Sequence, residues 1–305
     1  MHDRERARRH DLMLTFAPAL FVLLWSSGFI AAKAGLAHAE TLTYLSLRYG
    51  IVTVLMTCLA LAMRAPWPGT WREVRHIATA GVMLQAIYFG GSWLALGQGV
   101  GAGTAALIVC LQPVITAALV GPLLGEHVSR RQWLGLALGL AGVSLVVAHK
   151  LASGLGSGTG IAWAFVGLLG ITFGTLYQKK YCTTMDPRSG TAIQFLVATV
   201  LLTPLALIFE DGVIHWTLTF IASLAYIAVV LSLITMILLT TMIQRGEASR
   251  VTAWFFLVPP SAALLAWLVL DEPFGPVALA GMVVAAVGVA LVMMPGRVAV
   301  VQAAN

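Results

Sequence analysis

The chain has 305 residues, of which 59% are hydrophobic and only 10% charged, with a mean hydropathy of +0.92. A water-soluble domain carries about a quarter of its residues as charges, so this composition excludes one and makes the bilayer the solvent for most of the chain. The net charge of +6 comes from basic residues scattered through short loops. They form no basic face for phosphates to follow, which excludes nucleic acid and points to membrane lipid as the partner.

A hydrocarbon core of roughly 30 Å needs about 20 apolar residues per helix, and ten such stretches can be marked in chain order. The first, about 12–35, carries Trp25, Ser26, Ser27 and Lys33; the second, about 42–63, carries Arg48. The third, about 76–97, holds Gln85, Tyr88 and Trp93, and the fourth, about 102–124, holds Gln112 and Pro113 before Gly125-Glu126. A glycine stripe, Gly135, Gly139 and Gly142, marks the fifth, about 131–149. The sixth, about 160–180, bears Thr172 and Thr175, and the seventh and eighth run about 190–209 and 219–243. Trp254 and Pro259 lie in the ninth, about 247–270, which Asp271-Glu272 follows; Gly281, Ala285 and Gly288 mark the tenth, about 275–294.

Lysine and arginine test this count. With the N-terminus in the cytoplasm, fifteen of the 18 fall inside, Lys150 alone falls outside, and Lys33 and Arg48 lie within spans. An odd number of spans would scramble that bias. The expected protein is all-α, with ten transmembrane helices and both termini cytoplasmic, in a bacterial inner membrane. Arginines 4–9, an apolar run and Ala37-His38-Ala39 have the outline of a secretory signal. The run is longer than a signal core, so the first helix is expected to be retained.

The chain also repeats itself at an offset of 146: Gly28 with Gly174, Lys33 with Lys179, Gln98 with Gln244, Pro113 with Pro259, Glu126 with Glu272. Five helices per copy is an odd number, so the second copy enters the membrane from the opposite side. Inverted repeats of this kind place a site near the midplane between the halves and alternate its access. The expected organisation is a tail at 1–11, repeats at 12–149 and 160–295 joined by a periplasmic linker at 150–159, and a tail at 296–305.

These residues carry a family likeness. Leu24-Trp25-Ser26-Ser27-Gly28-Phe29 followed by Lys33 and Arg48 resembles the opening of an EamA-type member of the drug/metabolite transporter superfamily. Leu111-Gln112-Pro113 through Gly125-Glu126 to Ala141-Gly142-Val143 resembles the close of that domain, and Pro259, Glu272, Gly281 and Gly288 repeat it. The likeness covers about residues 12–295. It implies an exporter of amino acids or related small metabolites, with a cavity lined by the first, third, fourth, sixth, eighth and ninth helices. The second half departs at two places: Gln194 stands where Arg48 would repeat, and Ile171 where Trp25 would.

Within the spans, Lys33 and Arg48 are costly charges, expected toward the outer helix ends, where snorkelling or pairing with Glu40 is open to them. All twelve acidic residues fall at helix ends or in loops. A cation antiporter uses a buried carboxylate, so a zwitterionic or weakly anionic cargo is favoured over multidrug or cation efflux by proton antiport. A proton remains the candidate coupling ion, through a terminal carboxylate or the substrate itself. Trp25, Ser26, Ser27, Gln85, Tyr88, Trp93, Gln112, Thr172, Thr175 and Trp254 are the cavity candidates beside Lys33 and Arg48, with Trp25 and Trp254 as an apolar wall. Pro113 and Pro259 would kink two helices at matching depth and free carbonyls there. Glu126 and Glu272 are candidate gates. An intramembrane enzyme would need a nucleophile and base at depth, and none is present. The cysteines Cys58, Cys110 and Cys182 lack metal-ligand spacing, so no metal or cofactor is expected. Composition leaves monomer and homodimer both open.

Overall fold

The computed structural model describes residues 2–100, 102–151, 157–246, 248–270 and 275–294. Ten helices in it are long and apolar enough to cross a membrane. They are α1 (His2–Leu36), α2 (Thr41–Ala62), α3 (Trp71–Gly97), α4 (Ala102–Val109 and Gln112–Leu124), α5 (Arg130–Leu151), α6 (Gly158–Tyr181), α7 (Pro187–Phe209), α8 (Leu218–Arg245), α9 (248–270) and α10 (Pro276–Met293).

Local chemistry sets the ends. Thr70 and Glu73 form a reciprocal capping box that starts α3 five residues before its apolar stretch begins. Ser157, Asp186 and Thr217 cap α6, α7 and α8 with side-chain oxygens. Gly125, at φ 72°, closes α4 in the left-handed conformation that only glycine adopts cheaply.

The helices pack as two inverted copies. α2 packs on α7, α4 on α9 and α5 on α10, each against its own repeat counterpart, while α3–α6 and α8–α1 exchange under the same operation. A residue touching its own counterpart lies on the two-fold axis. Thr53 and Thr199, 146 positions apart, share a hydrogen bond of 3.3 Å. The α5–α10 crossing is reciprocal as well: a Cβ on Gly135 would come within 2.6 Å of the Gly288 carbonyl, and one on Gly281 within 2.6 Å of Gly142. The glycine stripes are therefore what lets these two helices touch backbone to backbone. Outward leucines such as Leu207 and Leu218 (78% and 83% exposed) fit a lipid surround.

One end of the bundle, the basic face, carries the α2–α3, α4–α5, α6–α7 and α8–α9 loops. There Lys179 Nζ donates to the carbonyls of Gln244 and Gly246. The opposite face carries the α1–α2, α3–α4, α5–α6 and α7–α8 connections, where Ala39 bridges Ile214 and Glu210 accepts from the amides of Leu42 and Thr43 at 2.7 and 2.6 Å.

Four helices are irregular at mid-depth, in symmetric pairs. α3 widens to a π-helix over Val82–Phe89 and α8 over Ile227–Thr235. α4 breaks at Cys110-Leu111, and α9 tightens to a 3-10 turn over Trp254–Leu257. π-Segments are rare and concentrate at functional sites. These four interruptions surround the largest buried cluster, which has Trp25, Tyr88, Phe89 and Phe255 at its middle.

Candidate functional site

Trp25, on α1, is 3% exposed and forms the middle of an aromatic layer. Its ring stacks on Tyr88 at 6.4 Å and 11°, meets Phe89 at 5.8 Å, and stands edge-on to Phe255 at 5.4 Å. Two compartments share Trp25, Tyr88 and Phe89 as a common wall. The one toward the opposite face has a cavity volume of about 40 Å³, and Gly28, Ala32, Ser92, Trp93, Val109 and Leu231 are among its walls. The one toward the basic face is closed down to about 10 Å³, room for about one water, and is polar along one side through Gln85, Gln178, Gln194 and Thr240.

Arg48 sits against the aromatic layer and is fully buried. This corrects the snorkelling expectation: about 10 Å into α2, at 1.5 Å per residue, the side chain turns into the protein. Its guanidinium carbon lies 4.7, 5.3 and 5.6 Å from the ring centres of Phe89, Tyr49 and Trp93. Nε donates to Ser232 Oγ at 3.1 Å, and Ser232 in turn donates to the Ile227 carbonyl inside the α8 π-segment. Among the described residues Nη1 and Nη2 have no partner. Ring faces attract a cation but do not neutralise it, so the site is electrostatically incomplete and complementary to an anion. Glu40 does not supply one; its carboxylate accepts from the Gly212 amide.

The other candidates divide by what their polar atoms do. Ser26 donates to the carbonyls of Val22 and Val258, Ser27 donates to Leu24 O and shares a hydrogen bond with Tyr226, and Thr172 donates to Leu168 O. These three spend their hydroxyls on helix contacts. Gln112 Nε2 reaches Thr175 Oγ1 at 3.4 Å between α4 and α6, leaving Gln112 Oε1 without a partner. Trp93 and Tyr88 line the wider compartment. Trp254 is half-buried beside the cluster, and Phe255 takes the place beside Trp25 that the apolar-wall expectation gave it. The Lys33 side chain and Glu272 lie outside the described residues.

Pro113 and Pro259 each occupy the second position of the helical segment that follows its interruption. Proline has no N–H to offer the carbonyl four residues back. For Pro259 that carbonyl is Phe255 O, which accepts from Cys110 Sγ of the other half at 3.7 Å. The two broken helices thus meet through a thiol, and this carbonyl is already engaged. At the basic face both oxygens of Glu126, just beyond α4, accept from the Ala248 amide at the start of α9 at 3.1 Å.

Sequence reasoning missed Phe89, Gln178, Thr240, Ser232 and the π-segments. Gln194 stood out only as the residue replacing Arg48. The available signal was the list of polar residues within spans, which gives depth but not helix face.

A ten-helix bundle of inverted repeats, with broken helices around a central cavity, has the architecture of a secondary transporter. The model of the EamA-like transporter family matches residues 13–148 and again 158–294, so the chain belongs to that family. It is a multi-pass membrane transporter of small molecules and not an enzyme. An uncharacterized transporter, YvbV of Bacillus subtilis, is 28% identical over 90% of this chain and 89% of its own. A probable terminal-alkyne amino-acid exporter of Streptantibioticus cattleyicolor is 27% identical over 92% and 93%. One protein solved by crystallography superimposes with a TM-score of 0.77 over 92% of this chain and 96% of that one, at 17% identity, a likeness of fold.

Proposed function

We propose that this transporter exports amino acids or closely related zwitterionic or weakly anionic metabolites by alternating access through the cavity between its repeats. The observation that carries the reading is Arg48: a buried guanidinium whose two Nη atoms have no partner among the described residues, stacked behind Phe89 and Trp93 of the apolar compartment's wall. A carboxylate forked across Nη1 and Nη2 satisfies both, and an apolar side chain fits between Trp25, Trp93 and Leu231. A lipophilic cation would meet an unpaired positive charge there and no carboxylate among the described residues. The amino-acid exporter named among the relatives supports the same cargo class.

Each repeat, 12–149 and 160–295, moves as one unit in this reading, with Pro113 and Pro259 as hinges at the broken helices. Glu126 gates the basic face, which the arginine and lysine distribution puts in the cytoplasm together with both termini. A proton enters, if coupling exists, at a helix-end carboxylate such as Glu126.

Growth under a dipeptide load tests the proposal. A peptide hydrolysed inside the cell floods the cytoplasm with one apolar amino acid, and an exporter relieves the inhibition. Expression of this chain should restore growth and raise the amino acid in the medium, and Arg48→Gln should not. Equal growth with and without the protein, across several apolar amino acids, would count against amino-acid export.

A further inference from the structure

The compartment on the basic side of the aromatic layer has polar walls that helix packing does not account for. Gln85, Gln178 and Gln194 come from α3, α6 and α7 and are 1%, 0% and 2% exposed. Gln194 Nε2 donates to Gln178 Oε1 at 2.8 Å, and Gln85 Nε2 faces Met236 Sδ at 3.6 Å. Among the described residues one acceptor, Gln85 Oε1, and one donor, Gln178 Nε2, are left buried without partners. Orphaned amide atoms are costly, and apolar residues of similar size would avoid the cost, as Leu84, Ile171 and Leu239 do in the same wall.

The repeat sharpens the contrast. Gln194 occupies the second-half position that Arg48 occupies in the first. One half therefore buries a cation behind the aromatic wall, and the other puts a neutral amide in the compartment's lining that fixes its neighbour's orientation.

We propose that this glutamine cluster, closed down in this conformation, is a second binding station that opens as access alternates and takes the head of a zwitterion with its ammonium on Gln85 Oε1 and its carboxylate on Gln178 Nε2. The proposal rests on the zwitterion reading of the transporter and places the specificity step. Arg48 accepts any carboxylate. The amide station rejects one that lacks an ammonium, because Gln85 Oε1 would then face a C–H and be left without a donor. A site built for a hydrogen bond discriminates strongly against a ligand that cannot make it. Zwitterion selection then belongs to the glutamines and anion attraction to the arginine.

The full-length protein in liposomes tests this, with counterflow of labelled L-leucine as the probe. Two competitors are added: 4-methylpentanoate, which keeps the carboxylate and lacks the ammonium, and unlabelled L-leucine. In the wild type, 4-methylpentanoate should compete at least about 10-fold more weakly than leucine. Gln85→Met should shrink that gap below about 3-fold, and Gln178→Met should weaken leucine binding. Gln85→Glu, which keeps the shape and adds charge, should widen the gap and covers the case in which Gln85→Met does not fold. Arg48→Gln should weaken both competitors together and leave the gap in place. A gap unchanged in Gln85→Met or Gln85→Glu, or leucine binding undiminished in Gln178→Met, overturns the station alone. Absence of leucine counterflow in the wild type overturns the zwitterion reading and the station with it.

Discussion

Replacing Arg48 by methionine separates a binding cation from a structural one, because the two readings predict opposite patterns of loss. In the empty protein the buried guanidinium carries a desolvation penalty of several kcal/mol. Against it stand one hydrogen bond to Ser232, about 1.5 kcal/mol for a charged donor, and contacts to three rings at about 0.5–2 kcal/mol each. These nearly cancel, so Arg48→Met should alter unfolding stability by less than about 2 kcal/mol. The ligand loses more. Truncating one partner of a buried charged pair costs about 2–5 kcal/mol, which at 1.36 kcal/mol per decade is at least about 30-fold. The assay pairs thermal unfolding of the purified variant with competition of labelled L-leucine counterflow by L-leucinol, which keeps the ammonium but lacks the carboxylate. Leucine transport should collapse, leucinol, relieved of the unpaired charge, should compete at least as well as before against what remains, and the melting temperature should move little. A large drop in melting temperature, with leucine and leucinol affected alike, would refute the reasoning and make Arg48 a packing residue.

Other substitutions probe the remaining parts. Pro113→Ala and Pro259→Ala restore a backbone donor at the broken helices, so transport should slow severalfold while insertion and yield hold; unchanged rates would mean the breaks are not hinges. Glu126→Gln removes the charge that holds the start of α9, an interaction of about 1–2 kcal/mol, and should expose a Thr240→Cys thiol to an impermeant maleimide about 10-fold more often. Unchanged labelling would leave Glu126 as a helix-end cap. Gly142→Leu forces α5 off α10 at a crossing with no room for a Cβ, and should cost about 1–3 kcal/mol of stability while sparing the transport rate of the folded fraction. Asp186, capping α7 outside the span, is held below the ordinary carboxylate range chiefly by its side-chain hydrogen bonds with Arg188. A lowered folded pKa stabilises above the unfolded value and loses that stabilisation as pH falls through the folded one. Asp186→Asn keeps a capping oxygen but loses the pair with Arg188, so it should cost less than about 1 kcal/mol near neutrality, and melting curves of wild type and variant should converge in acid.

Much of the architecture was legible in the residues because membrane helices announce themselves by length and apolarity, and because one offset joins Pro113 to Pro259 and Gly142 to Gly288. Those pairs gave the repeat, and the repeat gave the inversion. The π-segments in α3 and α8 were not legible: Val82–Phe89 and Ile227–Thr235 read as ordinary apolar helix. Arg48 was visible as a costly charge, but its depth was misjudged, since helix position alone does not tell which way a long side chain turns. Ser26 and Thr172 show the converse. Polar residues at the right depth looked like cavity lining, and their hydroxyls are spent on backbone carbonyls instead. Gln178 escaped notice because it lies one turn from the end of α6, where a polar residue is unremarkable in sequence.

The most direct test of the account uses purified protein in liposomes loaded with a mixture of amino acids, with a lipophilic cationic dye as control cargo and a proton gradient imposed or withheld. The account predicts efflux of apolar amino acids and no movement of the dye, and dependence on the gradient would establish coupling. Proton-driven movement of the dye without amino-acid efflux would contradict it and direct attention from Arg48 to the carboxylates at the helix ends.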